Sequence, residues 1–267
     1  MNDEPSTPPP LPDPAVIVER TQNAVWGPGS AFAVLGVYLG AQFFSAIIVA
    51  IAVGVFIGIS TASRHEHFSP AALQAAIFMP TVVVSVLVSS CGAFAFSLVR
   101  GRSRLRVGGP TGFGLVKVDT RVTIAALLAG VALSCLFTFV APLIVPPPSK
   151  EAMGPLSQMA LSPGMGRYAW LFIALLVAPL TEEYLFRGVL ASGLRTRFGA
   201  ATTISIVTVL FTLMHVTEAK AYWPAFLSIA ALGVLAGVAR ERFGSLVPAM
   251  AAHFGYNAVI ATIVLIS

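Results

Sequence analysis

The sequence has little charge. Only 10% of its 267 residues are Asp, Glu, Lys or Arg, whereas 57% are apolar and the mean hydropathy is +0.87. A soluble domain carries about 25% charged residues, so this composition excludes a soluble globular protein and indicates that most of the surface faces lipid. The net charge of +5 is therefore assigned to membrane topology, and no nucleic-acid partner is expected.

Cysteine is also scarce. The chain has two, Cys91 and Cys135, and each lies within an apolar run. This distribution excludes a disulfide framework and a cysteine-ligated metal cluster.

Residues 1–28 differ from the rest of the chain. Six prolines between Pro5 and Pro14 stand among Asn, Asp, Glu, Ser and Thr, which predicts a disordered, proline-rich tail. The start of this tail is acidic and has no apolar core, so it is not expected to act as a secretory signal.

The remaining chain contains seven apolar runs that are long enough for membrane helices, which need about 20 residues each. They cover roughly 30–60, 71–99, 122–145, 168–194, 200–217, 222–239 and 246–267. Residues 151–165 allow an eighth, re-entrant or interfacial helix. The sequence thus predicts an all-α, polytopic bundle of about seven to eight spans.

The spans are rich in small residues at helical spacing. Gly-x-x-x-Gly pairs occur at 36 and 40, at 54 and 58, and at 233 and 237. Such pairs favour close packing between helices of the same chain, and dimerisation is the alternative.

Basic residues fall mainly on one side of the predicted bundle. That side holds Arg20, six Lys or Arg residues between Arg100 and Arg121, and Arg195, Arg197, Arg240 and Arg242. The positive-inside rule makes this side, and the N-terminus, cytoplasmic.

Ionisable residues and an amide stand inside the last four spans, whereas the first three contain no Asp, Glu, Lys, Arg or His. Each charge at bilayer depth is costly, so this group is expected to be functional and places the active site between the C-terminal four spans. The residues are Glu182, Glu183, Arg187, His215, His253 and Asn257.

Spacing assigns roles to the two acids. Glu183 and Arg187 are four residues apart, with the acid first, which is the favourable order for an ion pair on a helix. Glu182 is rotated by about 100° and stays free to act as a general base. A purely structural Glu–Arg clamp is the alternative, and it leaves Glu182 unexplained.

The other polar residues come from two further spans. Phe211 and His215 share a helix face, and His253 and Asn257 form a polar stripe that can donate hydrogen bonds to an oxyanion or join helices. Counting 1.5 Å per residue places His215 nearer the outer membrane face than Glu182. Span five therefore starts later, is strongly tilted, or carries a histidine that lies outside the site.

Three motifs together resemble those of the CPBP intramembrane proteases, a family that includes CAAX prenyl endopeptidases and bacteriocin-processing, abortive-infection-type proteins. They are Glu182-Glu183-x-x-x-Arg187, Phe211-x-x-x-His215 and His253-x-x-x-Asn257. The resemblance covers about residues 168–260. It implies that Glu182 activates water with help from His215, that Glu183 and Arg187 support the site, and that His253 and Asn257 stabilise the oxyanion.

The resulting hypothesis divides the chain into the tail (1–28), N-terminal transmembrane helices and loops (29–165) and a catalytic core (166–267). The protein is expected to be an intramembrane endopeptidase of a bacterial plasma membrane, acting on a peptide or protein that may or may not be lipidated. The alternatives are a non-catalytic scaffold or immunity protein and a proton-coupled transporter. The resemblance leaves open whether a divalent metal such as zinc takes part, and its ligands would be Glu182, His215 and His253.

Overall fold

A computed structural model describes residues 26–64 and 69–266, which contain nine α-helices and no strand. The predicted tail at residues 1–28 therefore lies almost entirely outside the described residues. In chain order the helices are α1 (Pro28–Arg64), α2 (Pro70–Gly101), α3 (Thr120–Ile144), α4 (Pro155–Leu161), α5 (Met165–Leu194), α6 (Ala200–Met214), α7 (Val216–Ala219), α8 (Trp223–Phe243) and α9 (Val247–Ile266).

The seven predicted spans correspond to seven long helices. Within the described residues, six of them are long and apolar enough to cross a membrane, and the seventh, α6, has 15 residues. Large apolar side chains are exposed along these helices, especially on α1, as expected for side chains that meet lipid tails. The all-α, polytopic fold is confirmed.

The region 151–165 contains a short helix, α4, held at both ends. Glu218 of α7 accepts hydrogen bonds from the Leu156 and Ser157 amides, which the first turn of α4 leaves without helical acceptors. At the other end, Arg167 donates to the Ala160 and Leu161 carbonyls. An eighth helix is therefore present.

The loops divide between two ends of the bundle. One end, called the basic end, consists of residues 102–119, 195–199 and 244–246, and the other consists of residues 145–164 and 215–222. At the basic end, Arg240 donates to the Gly109 and Gly112 carbonyls, which ties the first of these loops to α8. The same loop inserts Phe113, which is fully buried against Trp26 and Tyr184.

Glycines allow two close helix crossings. A Cβ at Gly130 of α3 would lie 1.9 Å from the Ala252 carbonyl oxygen of α9, and one at Gly255 would lie 2.3 Å from the Leu127 oxygen. Gly233 and Gly237 bring α8 against Thr208 and Ile204 of α6.

The Gly-x-x-x-Gly motifs therefore differ in use. The 233/237 pair packs helices of this chain, as predicted, whereas a Cβ at Gly36, Gly40 or Gly58 would meet nothing within 4 Å. Packing within the chain accounts for the pair at 233 and 237 but not for the pair at 36 and 40.

Candidate functional site

The predicted pair between Glu183 and Arg187 is present on α5. Arg187 Nη1 lies 3.0 Å from Glu183 Oε1, and both side chains are buried, at 1% and 0% exposure. Arg187 also donates through Nη2 to the Gly233 carbonyl of α8, and its guanidinium lies 4.4 Å from the centre of the Phe211 ring of α6. The pair thus joins three helices.

Glu183 has a second partner that spacing did not predict. His253 Nδ1 lies 2.8 Å from Glu183 Oε1. Because a carboxylate oxygen accepts, Nδ1 must carry a proton, and the neutral ring then has its lone pair on Nε2. Glu183 therefore fixes both the orientation and the tautomer of His253.

Glu182 lies beside this cluster without a hydrogen bond to it. Its Oε2 is 3.8 Å from His215 Nε2 and 3.9 Å from His253 Nε2, and that oxygen has no hydrogen-bond partner. The side chain is 22% exposed, compared with 0% for Glu183. The expectation that the pair leaves Glu182 free agrees with this geometry.

His215 stands at the end of α6. The apolar run predicts that this span continues to residue 217, but the helix ends at Met214. His215 has φ −101° and ψ 11°, which lies in the bridge region where active-site residues recur. The helix ends there because the His215 amide bonds to the Thr212 carbonyl three residues back, while its Nδ1 approaches the Phe211 oxygen at 2.9 Å. The carbonyl makes Nδ1 the donor, so Nε2 again carries the lone pair.

The structure tests the possible positions of His215 relative to Glu182. Span five does not start later than expected, because α6 begins at Ala200. His215 is not outside the cluster, because its ring lies 4.8 Å from Phe211 and its Nε2 faces Glu182. The structure therefore excludes the two possibilities that span five starts later and that His215 lies outside the site.

Asn257 bonds to α5 at a different level. Its Nδ2 donates to the Ala174 carbonyl over 2.8 Å. Joining of helices was the alternative interpretation of the His253–Asn257 stripe, and Asn257 makes such a contact.

The two parts of α5 on either side of Glu182 differ in burial. Every residue from Glu183 to Leu194, towards the basic end, is buried, whereas Leu180 is exposed and Thr181 and Glu182 are partly exposed. His215, at 30%, is more exposed than Glu182, at 22%, and His253, at 4%. The more exposed part of the site is therefore on the side of His215, although Oε2 of Glu182 is itself buried. An apolar pocket between α3 and α8, lined by Phe137, Val140 and Trp223 among others, contains none of the polar residues.

One neighbour of the site comes from the N-terminal helices and was not anticipated. Tyr38 of α1 is buried, hydrogen-bonds to Ser89 of α2 and lies within electrostatic reach of the Glu182 carboxylate. A lone tyrosine in an apolar helix gives no spacing signal, so only the packing of α1 reveals it.

The donor types around Glu182 are those that zinc accepts, and each imidazole is held through Nδ1 by an oxygen, as in many metal sites. The described parts of the chain nevertheless contain no group of three or more His, Cys, Asp or Glu side chains arranged to hold a metal ion. Glu182, His215 and His253 in this arrangement do not fit a three-ligand zinc site.

Comparison with known proteins gives one match. Residues 164–259 match the family model described as "Type II CAAX prenyl endopeptidase Rce1-like". No curated protein and no solved structure matches the chain significantly. The matched segment includes α5 to α8 and most of α9, and therefore all six polar residues.

Proposed function

We propose that this protein is an intramembrane endopeptidase that uses Glu182 to activate water. The first support is the match of residues 164–259 to the Rce1-like family model, which is a match to a CPBP family intramembrane protease. The observation that carries the proposal is the Glu182 carboxylate. Its Oε2 makes no hydrogen bond and lies within 4 Å of Nε2 of both His215 and His253.

Glu182 is the general base of the reaction. It takes a proton from water as the oxygen attacks the peptide carbonyl, which gives a tetrahedral intermediate with a negatively charged oxygen. When the C–N bond breaks, Glu182 returns that proton to the departing amine. The products are one carboxylic acid and one amine, which together hold all the atoms of the peptide and the water, and the enzyme is regenerated.

The two histidines differ in surroundings and therefore in role. His215 is the more exposed, and its Nε2 lone pair accepts a hydrogen bond from the attacking water beside Glu182. His253 is held by Glu183 through Nδ1, and a proton that is bound at its Nε2 before the attack and stays there throughout the cycle donates to the oxyanion. Glu183 and Arg187 support the site by keeping His253 in place.

Asn257 completes the oxyanion site. An amide nitrogen carries two protons, and one of them is used on the Ala174 carbonyl. The second proton remains available for a hydrogen bond to the oxyanion.

The substrate is a peptide or protein at the membrane. In this proposal, residues 166–267 are the catalytic core and the protein lies in a bacterial plasma membrane. Its N-terminus is in the cytoplasm, and the basic end would lie on the same side. Whether the substrate carries a lipid is a matter for experiment.

The test is cleavage by purified protein of two substrate classes, farnesylated CAAX peptides and unmodified peptides that contain one transmembrane segment. We expect the wild type to cleave one class and Glu182→Gln to lose turnover by about 100-fold or more. Glu241→Gln is the matched control, because Glu241 pairs with Arg195 at the basic end, away from the site.

Two outcomes would contradict the proposal. Equal cleavage by the wild type and Glu182→Gln would remove Glu182 from the chemistry. A cellular phenotype that survives Glu182→Gln would favour the scaffold or immunity role. We also expect cleavage to persist with a chelator, and its loss would show that a metal completes the site.

A further inference from the structure

We propose that Pro179 is a positioning residue for Asn257. Because Pro179 lacks an N–H, the Ala174 carbonyl has no backbone donor and accepts a hydrogen bond from the Asn257 amide. This bond positions α9 relative to the turn of α5 that carries Glu182. This inference rests on the proposed function for its catalytic consequence, whereas its structural part can be tested alone.

The backbone of α5 shows why the carbonyl is free. Residues Ile173–Val177 form a π-helical segment in which hydrogen bonds run five residues back, and the Ala178 amide donates to the Ile173 carbonyl. The Ala174 carbonyl thus loses residue 178, its α-helical donor. Its π-helical donor would be residue 179, which is a proline and has no N–H.

Asn257 supplies the missing donor from another helix. Its Nδ2 lies 2.8 Å from the Ala174 oxygen. Ala174 and Pro179 are both buried, and an unpaired carbonyl in lipid has no water to accept from. The carbonyl and the amide therefore restrain one another.

The restraint acts on the catalytic geometry because α9 also carries His253. Two interhelical hydrogen bonds connect α5 and α9, from His253 to Glu183 and from Asn257 to Ala174, each 2.8 Å long. Two contacts at different levels fix both the sliding and the rotation of α9 relative to α5. Glu182 lies between the two levels, three residues after Pro179.

The experiment is a double-mutant cycle in melting temperature, measured on the full-length protein in detergent. Asn257→Leu orphans the Ala174 carbonyl, so we expect it to lower the Tm of the wild type by about 3 °C or more. Pro179→Ala supplies a backbone N–H, and in its background we expect Asn257→Leu to shift the Tm by less than about 1 °C.

Pro80→Ala is the matched control, because Pro80 lies inside α2 and is not among the residues assigned to the site. In the Pro80→Ala background, Asn257→Leu should cost as much as in the wild type. Pro179→Ser also supplies an N–H and replaces Pro179→Ala should that variant not fold.

The catalytic consequence has its own measurement. We expect Pro179→Ala to lower kcat by about 10-fold and to leave KM within about twofold, without a lower Tm. A merely structural proline would lower kcat and Tm together or change neither.

If Asn257→Leu lowers the Tm equally in the wild type and in Pro179→Ala, the inference is wrong, whatever the peptidase activity of these variants. Failure of the wild type to cleave any peptide would instead count against the proposed function and would leave the melting cycle readable. If the Tm shifts of Pro179→Ala and Asn257→Leu are coupled but kcat is unchanged in Pro179→Ala, the hydrogen bond contributes to stability alone. That result would overturn the positioning role.

Discussion

Two adjacent carboxylates on one helix have opposite surroundings. Glu183 is fully buried and accepts from Arg187 and His253 at Oε1, whereas Glu182 is 22% exposed and lies 3.8 Å and 3.9 Å from its two histidine neighbours, beyond hydrogen-bond distance; Oε2 has no hydrogen-bond partner in either residue. A rotation of about 100° along the helix thus separates a carboxylate that holds the bundle together from one that is free to react. The comparison predicts that substitutions on the Glu183 side lower stability first, and those on the Glu182 side lower turnover first.

Removal of Arg187 should give the largest loss of stability. Arg187→Ala leaves Glu183 buried without its counter-charge, which costs about 3–5 kcal/mol. We expect poor expression or a strongly lowered Tm, measured by thermal unfolding in detergent. A Tm equal to that of the wild type would contradict the view that Glu183 needs this partner.

The two histidines should separate stability from turnover. His215→Ala removes a side chain that is 30% exposed, and His253→Ala removes one that is 4% exposed and bonded to Glu183. We expect both variants to lose about 100-fold in turnover, but only His253→Ala to lower stability as well, by about 1–3 kcal/mol. Paired kcat and Tm measurements check this, and a stability loss in His215→Ala equal to that in His253→Ala would argue against it.

The contact between α3 and α9 tests whether the N-terminal helices hold the site. Gly130→Ala places a methyl group against the Ala252 backbone, next to His253, and should cost about 1–3 kcal/mol. Gly36→Ala is the matched control, because a Cβ there meets nothing within 4 Å. If both variants have the wild-type Tm, α3 does not constrain α9 as described.

The smallest effect is expected at the Arg195–Glu241 pair. Its side chains are 20% and 18% exposed, and surface pairs contribute about 0–1 kcal/mol. Arg195→Ala should therefore lower the free energy of unfolding by less than about 1 kcal/mol. An effect as large as that of Arg187→Ala would mean that burial does not distinguish the two pairs.

Much of this arrangement could be predicted from the sequence because it depends on local spacing. Apolar runs of sufficient length indicated seven helices, and the separation of Glu183 and Arg187 by four residues predicted their ion pair. Pro179 has no N–H, so a carbonyl of span four lacks its backbone donor. The ion pair and the missing donor are decided within about one or two helical turns, and each span within about 20 consecutive residues.

Interhelical register could not be predicted in the same way. The bond from His253 to Glu183 joins residues 70 apart, and the bond from Asn257 to Ala174 joins residues 83 apart. The π-helical segments in α5 change which carbonyl is left free, and composition does not reveal them. The end of α6 at Met214 was also missed, because the apolar run continues beyond His215 while the chain turns there.

The most direct test compares Glu182→Gln with Glu183→Gln, two substitutions that each remove one charge at neighbouring positions. Turnover of a cleaved peptide and the Tm are measured on the same preparations. We expect Glu182→Gln to lose turnover by about 100-fold or more and to keep the wild-type Tm, whereas Glu183→Gln should lower the Tm. Retained turnover in Glu182→Gln, or equal loss of Tm in both variants, would contradict the division between the two carboxylates.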